Sequence, residues 1–151
     1  MIRLEELNVD NWLKVTELKV SKEQQEIFPI PNVYWIGISR YEEKTKLYAI
    51  INDETIVGMI GIRYDEDGIS GYMNPLMIDE KYQGNGYARE ALKLAIQKLK
   101  DDYKVTEIHI GHRKGNIASG KLYESLGFYI VDEDENDYFR RLLLNAEELD
   151  F

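Results

Sequence analysis

Met77-Ile78-Asp79-Glu80-Lys81-Tyr82-Gln83-Gly84-Asn85-Gly86-Tyr87-Ala88-Arg89 is the stretch whose reading decides the fold: an apolar run gives way to two glycines and then to an amphipathic helix. Two glycines one residue apart let the backbone turn sharply and come close to a ligand. A helix that begins there offers unpaired N–H groups and the positive end of its dipole to an anion. The outline is that of a phosphate cradle.

Downstream, Ala88, Ala91, Leu92, Ala95, Ile96 and Leu99 recur at three- and four-residue spacing, one buried helix face, with Arg89, Glu90, Lys93, Gln97 and Lys98 outside it. Residues 105–110 read as a strand, 117–126 as a helix stopped by Gly127, and 128–131 as another strand. An acidic run, 132–137, joins it to a last strand over 138–144 and reads as a solvated hairpin loop in preference to a binding patch.

Upstream, three strand candidates follow in series, 47–51, 56–64 and 69–78, separated by Asn52-Asp53 and by Asp65-Glu66-Asp67-Gly68, which predicts an antiparallel meander. Gly58 and Gly61 mark a bulge, a close backbone approach or simple tolerance of a small residue. Pro75 cannot donate to a ladder, so the third strand either begins after it or bulges beside it. The N-terminal third reads as a strand over 2–7, a helix through Trp12 and Val15 ending near Val20, a proline-stiffened passage at 27–32, and a second helix from Val33 towards Tyr41 or Glu42.

The chain has 151 residues and no linker-like segment, which predicts a single domain over 1–151. Nineteen basic against 28 acidic residues give a net charge of -9, which disfavours nucleic acid or an anionic membrane as the main partner. Such acidity draws in a cationic substrate; on charge alone the plainer reading, a soluble cytosolic protein, is preferred. Without cysteine there is no disulfide, thiolate metal site or cysteine-bound acyl intermediate, and the two histidines, His109 and His112, read as surface or packed residues, so no metal is expected. Residues 56–62, the longest apolar run, are too short to span a bilayer, and no signal peptide is evident at Met1, which predicts a cytoplasmic protein.

Two phosphate-binding patterns fail at particular positions. A dinucleotide fingerprint needs Gly or Ala where Arg89 stands, and a βαβ unit where the strands look antiparallel. A P-loop is mimicked by Gly115, Gly120 and Lys121, but Leu122 occupies the position that must bind magnesium, inside an expected helix.

The sequence resembles the GCN5-related N-acetyltransferases (GNAT). Their Gln/Arg-x-x-Gly-x-Gly/Ala motif appears as Gln83-Gly84-Asn85-Gly86-Tyr87-Ala88, and a second element as Asn116, Ser119, Leu122, Tyr123, Glu124, Leu126, Gly127 and Phe128. The resemblance implies an α+β, three-layer fold with a mixed, mostly antiparallel sheet of about six to seven strands flanked by about four helices. It also implies acetyl-CoA as co-substrate, with the pyrophosphate held by backbone N–H groups of Gln83, Gly84, Asn85, Gly86, Tyr87 and Ala88, and a charged contact from Arg89 unless that residue is an ordinary exposed helix position. The backbone of Met77 and Ile78 would pair with the pantetheine arm and polarise the acetyl carbonyl. Asn116 is placed between a cofactor contact and a helix cap, and Ser119 between a cofactor-proximal position and simple packing. Tyr123 would protonate the leaving thiolate as a general acid, the alternative being a tyrosine packed in the core.

Within the family the likeness runs to bacterial spermine/spermidine acetyltransferases of the Blt type, through residues 28–32, Tyr48-Ala49-Ile50, 77–87 and the second element. The departures are the helix after Asn32 and Ala88, where glycine is usual. A polyamine acceptor is implied, with Glu26, Glu42 and Glu43 as candidates bordering it. The alternatives are acetylation of a protein N-terminus, a lysine or an aminoglycoside, and a non-catalytic acetyl-CoA-binding module. Similar proteins are often dimers, so a homodimer is one implied assembly.

Overall fold

The computed structural model describes residues 1–144; of the single domain expected over 1–151, residues 145–151 lie outside the described part. The elements run β1 (Ile2–Glu6), α1 (Trp12–Glu17), α2 (Asn32–Tyr41), β2 (Thr45–Asn52), β3 (Thr55–Tyr64), β4 (Ser70–Ile78), α3 (Tyr87–Asp101), β5 (Glu107–Arg113), α4 (Ile117–Ser125), β6 (Tyr129–Glu133) and β7 (Asp137–Leu143), with short 3-10 turns at Gln24–Glu26 and Glu80–Tyr82. One seven-stranded sheet has the order β1-β2-β3-β4-β5-β7-β6. Every pairing is antiparallel except β4 with β5.

Helices cover both faces, giving the three layers. On one side α3 lays Ala91, Leu92, Ala95, Ile96 and Leu99 on Ile50, Ile60, Ile62 and Ile108, joined by Tyr123 and Phe128 from the α4 end. On the other, α1 and α2 cover Ala49, Ile51, Met59 and Met77 around Val15. Covered on both faces, β2 and β3 are continuous apolar runs, not alternating ones. Among the described residues no helix is long and apolar enough to cross a membrane.

Pro75 sits in a bulge. Ile60 pairs with Leu76 and Ile62 with Met73, so Asn74 and Pro75 together oppose the single residue Gly61. The Asn74–Pro75 peptide bond is cis. A Cβ on Gly61 would lie 2.6 Å from Asn74 O and 2.8 Å from Pro75 Cδ, and one on Gly58 would meet Met77 O. Both glycines are therefore close-approach residues for β4, which settles the alternatives left open by the sequence.

Three boundaries differ from expectation. Helix α1 stops at Glu17 instead of near Val20, with Leu18 extended at φ -66° and ψ 140°. The cause is a tie to the end of β4: Lys19 N–H donates to Asp79 Oδ2 at 3.0 Å and Glu80 N–H to Lys19 O at 3.0 Å. Strand β5 runs to Arg113, because β7 pairs with it throughout. The acidic run contributes Asp132 and Glu133 to β6 and Asp137 to β7, leaving Asp134 to accept from the N–H groups of Asn136 and Asp137.

Gly61→Ala is expected to lower the urea midpoint by the equivalent of about 1–3 kcal/mol, because backbone of β4 must move. Gly37→Ala, in α2 with nothing within 4 Å, is expected to be neutral or to stabilise by up to about 1 kcal/mol. Equal midpoints for wild type and Gly61→Ala would contradict the close approach.

Candidate active site

The bulge bends β4, and its partnership with β5 ends early. Their register is Ser70 with Glu107, Gly71 with Ile108 and Tyr72 with His109, and there it stops. Beyond that point the strands part around a cavity of about 440 Å³, lined from β4, β5, the glycine turn, α4 and the segment before α2.

The polarity of the free β4 edge follows from alternation, since N–H and C=O of one strand residue share a side. Asp79 N–H donates to Val57 O at 2.8 Å and Met77 O packs on Gly58, so both face β3. Leu76 and Ile78 therefore present their N–H groups to the cavity. Ile78 O is taken by Gln83 Nε2 at 2.9 Å, and Gln83 also exchanges amide hydrogen bonds with Gln24 at 2.8 and 2.9 Å. Met77 contributes a side chain to the α1/α2 core, where Asn32 Nδ2 lies 3.9 Å from its Sδ.

At the wide end, Gly84 (φ 83°) and Gly86 (φ 78°) adopt left-handed backbone conformations that disfavour side chains, although a Cβ would have room at either. Gly86 is the N-cap of α3 and makes no side-chain cap, and Glu90 is the first residue to bond back, to Gly86 O. The N–H groups of Tyr87, Ala88 and Arg89 are thus free of helix partners. Gly84, Gly86, Tyr87, Ala88 and Arg89 all line the cavity. Asn85 does not; its side chain folds back to Tyr82 O at 2.9 Å and braces the turn. The Tyr87 hydroxyl accepts from Asn52 Nδ2 at 3.0 Å, fixing the start of α3 to the end of β2, and Arg89 donates to Ser125 Oγ on α4.

Across the gap, Asn116 caps α4, its Oδ1 accepting from Ser119 N–H at 3.2 Å, and both residues line the cavity. Tyr123 lines it too but is 5% exposed. Burial pushes its phenol up to about 12, while the Ser119 hydroxyl acts in the opposite direction. Its ring lies 5.5 Å from that of His112 and 6.1 Å from that of Phe128.

Sequence reasoning missed several residues here. Leu76 is separable from Met77 only by strand parity. Gln24 lay in a segment without an assigned element, and His112 and Arg113 lie beyond the expected end of β5. Glu42 and Glu43, proposed acceptor neighbours, line a different cavity beside α2 and β1. Glu26 sits exposed on the 3-10 turn that carries Gln24 and does not line the cavity. Among the described residues no cluster of three or more His, Cys, Asp or Glu could hold a metal ion.

A split β4–β5 edge that ends in a helix N-terminus suits an extended ligand with an anionic end, and the comparisons give the family that carries it. Residues 4–128 match the model of the Acetyltransferase (GNAT) family, and the chain belongs to that family. It is an acetyl-CoA-dependent N-acetyltransferase of the GNAT type. Spermine/spermidine N(1)-acetyltransferase of Bacillus subtilis (strain 168) is 30% identical over 140 residues, covering 87% of this chain and 90% of that protein. Among solved structures, spermidine N-acetyltransferase from Vibrio cholerae in complex with CoA and spermine has a TM-score of 0.79 at 14% identity, covering 94% of this chain and 95% of that one. Campylobacter jejuni N-acetyltransferase PseH in complex with acetyl coenzyme A has a TM-score of 0.73 at 20% identity, covering 96% and 100%.

Asn116 can be dissected with two variants. Asn116→Ala is expected to lose about 1 kcal/mol of stability with the cap, and Asn116→Ser to retain it. Equal stability of all three proteins in urea denaturation would show that the cap contributes nothing.

Proposed function

We propose that this enzyme transfers the acetyl group of acetyl-CoA directly to a primary amine of a polyamine such as spermidine or spermine. The observation that carries the reading is the gap between β4 and β5, with free N–H groups on one wall and a buried phenol on the other. A pantetheine arm, an extended chain with amides, fits such a gap as an added strand.

In this reading the glycine turn and the first turn of α3 hold the pyrophosphate through the N–H groups of residues 83–88, with Arg89 adding charge. Ile78 N–H pairs with the pantetheine arm, and Leu76 N–H points at the acetyl oxygen, where negative charge grows as the amine attacks. Met77 supports this edge from the core behind it. Asn116 and Ser119 border the arm from α4. As the C–S bond breaks, Tyr123 donates a hydrogen bond to the departing thiolate. With its pKa raised by burial, the phenol stays protonated throughout the physiological range and so remains a donor.

The amine must arrive without its proton. Among the residues lining the cavity there is no carboxylate, and its charged residues are the cations Arg89 and Arg113, which favours the neutral amine over the ammonium form. His112 is no candidate base, since Arg140 Nε–H occupies its Nε2 at 2.9 Å and its Nδ1 bonds Arg113 O at 3.0 Å. The other ammonium groups of a polyamine would stay outside the cavity, on the side of the turn that carries Gln24 and the exposed Glu23 and Glu26. The relatives that act on spermine and spermidine, the net charge of -9 and these two carboxylates support the acceptor class. No nucleic acid or membrane is involved, the compartment is the cytoplasm, and a homodimer is compatible with this chemistry.

Incubation with acetyl-CoA and spermidine, followed by release of free thiol, tests the assignment. Spermidine and spermine are expected to give turnover above that of aminoglycosides or an N-terminal peptide, and a reversed order would replace the acceptor. Tyr123→Phe is expected to lower kcat by roughly 10²-fold or more with little change in acetyl-CoA affinity. Parallel losses in both would make Tyr123 structural.

A further inference from the structure

Arg140 is a charged side chain in β7 that is only 7% exposed, and among the described residues it pairs with no carboxylate. Burying a guanidinium costs several kcal/mol unless its donors are well used. Arg140 uses two of them on the supports of Tyr123. Nε–H donates to His112 Nε2 at 2.9 Å, and Nη1–H to Phe128 O at 3.4 Å. The His112 ring lies against the Tyr123 ring, and Phe128 N–H bonds the Tyr123 carbonyl at 3.0 Å. One buried cation is therefore linked to the tyrosine from both its side-chain and its main-chain ends.

The bonding also fixes the state of His112. Arg can only donate, so Nε2 must be the acceptor, and the ring proton must sit on Nδ1, donating to Arg113 O. The space allows little else: a Cβ on Gly120 of α4 would already lie 3.1 Å from His112 Cε1 and 3.5 Å from Arg140 Nη2. Facing the ring are Arg140, Asp137 and Tyr138 from β7, Tyr123 from α4, and the Arg113 carbonyl from its own strand. A second proton on Nε2 would set two cations against each other and break the bond to Arg140.

We propose that Arg140 is a positioning residue for acetyl transfer, which fixes His112 as an Nδ1-protonated acceptor and through it and Phe128 holds Tyr123 in the orientation that meets the leaving thiolate. This rests on Tyr123 acting as the donor. Arg140 itself touches neither acetyl-CoA nor the amine, because it does not line the cavity. Burial first, and then the Arg140 charge, lower the pKa of His112, while its bond to Arg113 O and the Asp137 charge raise it. Removing Arg140 removes one lowering influence, so the ring protonates at higher pH than in the wild type.

The test has a spectroscopic and a kinetic arm. With only two histidines in the chain, long-range proton–nitrogen NMR correlations, assigned with His109→Gln, report the tautomer of His112. The expected result in the wild type is a neutral ring with bare Nε2 at pH 7. An Nε2–H tautomer or an imidazolium there overturns the proposal, whatever the role of Tyr123. Kinetically, Arg140→Met is expected to lower kcat about tenfold with acetyl-CoA KM changed less than about twofold, and to raise the acid limb of the kcat/KM profile by about half a pH unit or more. In a Tyr123→Phe background the same change should cost little further, whereas a full additional tenfold loss would show that Arg140 acts independently of Tyr123 and would overturn the inference. If Tyr123→Phe alone keeps full kcat, the donor reading fails separately, and the NMR result still judges the Arg140–His112 bond. Should Arg140→Met not fold, His112→Ala takes its place; it removes both the acceptor of Arg140 and the ring against Tyr123, so kcat should fall about tenfold with acetyl-CoA KM changed less than about twofold, and an unaltered kcat overturns the proposal.

Discussion

The contact of Gly61 with Asn74 and Pro75 is the constraint on which the rest depends. Two residues of β4 are accommodated against one of β3, and only a residue without Cβ lets them come that close. Past Tyr72 and His109, where the bulge begins, β4 no longer pairs with β5. A parallel pair that would otherwise have buried its own hydrogen bonds becomes two open edges. Among the described residues, β4 on one side, α4 with Tyr123 on the other and the N-terminus of α3 line that opening.

The second requirement is that the walls hold still, and buried polar side chains do this. Asp79 is 5% exposed and accepts from the N–H groups of Lys19 and Lys81, fixing the end of β4 to the segment after α1. Asn32 donates to Val15 O and Leu18 O, locking α1 to α2. Gln83 ties Ile78 O to Gln24. On the far wall Arg140 plays the corresponding part. Each such group would be costly if left unpaired, so each specifies one arrangement of the wall it belongs to.

Much of this was legible in the sequence because periodicity and glycine chemistry are local. The face of α3, the meander β2–β4 and the turn at Gly84 and Gly86 follow from spacing alone, and the two motif stretches do fall on facing walls of one cavity. What was not legible depended on partners distant in sequence. The choice between the two readings at Pro75, a late start or a bulge, is made by Gly61, the early end of α1 by Asp79, and the extra length of β5 by β7. Parity is the sharpest case: Met77 and Ile78 are neighbours with similar side chains, yet only the pairing with β3 tells which turns its N–H to the cavity. Glu42 and Glu43 illustrate the reverse, since nearness to an expected cleft in sequence placed them beside another one.

The central claim, that the open β4 edge receives the cofactor as an added strand, is tested most directly by amide hydrogen exchange with and without CoA. Leu76 and Ile78 face the gap and should become protected when CoA binds, while Met77, already turned to β3, should change little. Protection of Met77 instead, or no change at Leu76 and Ile78 in a CoA-saturated protein, would contradict the account.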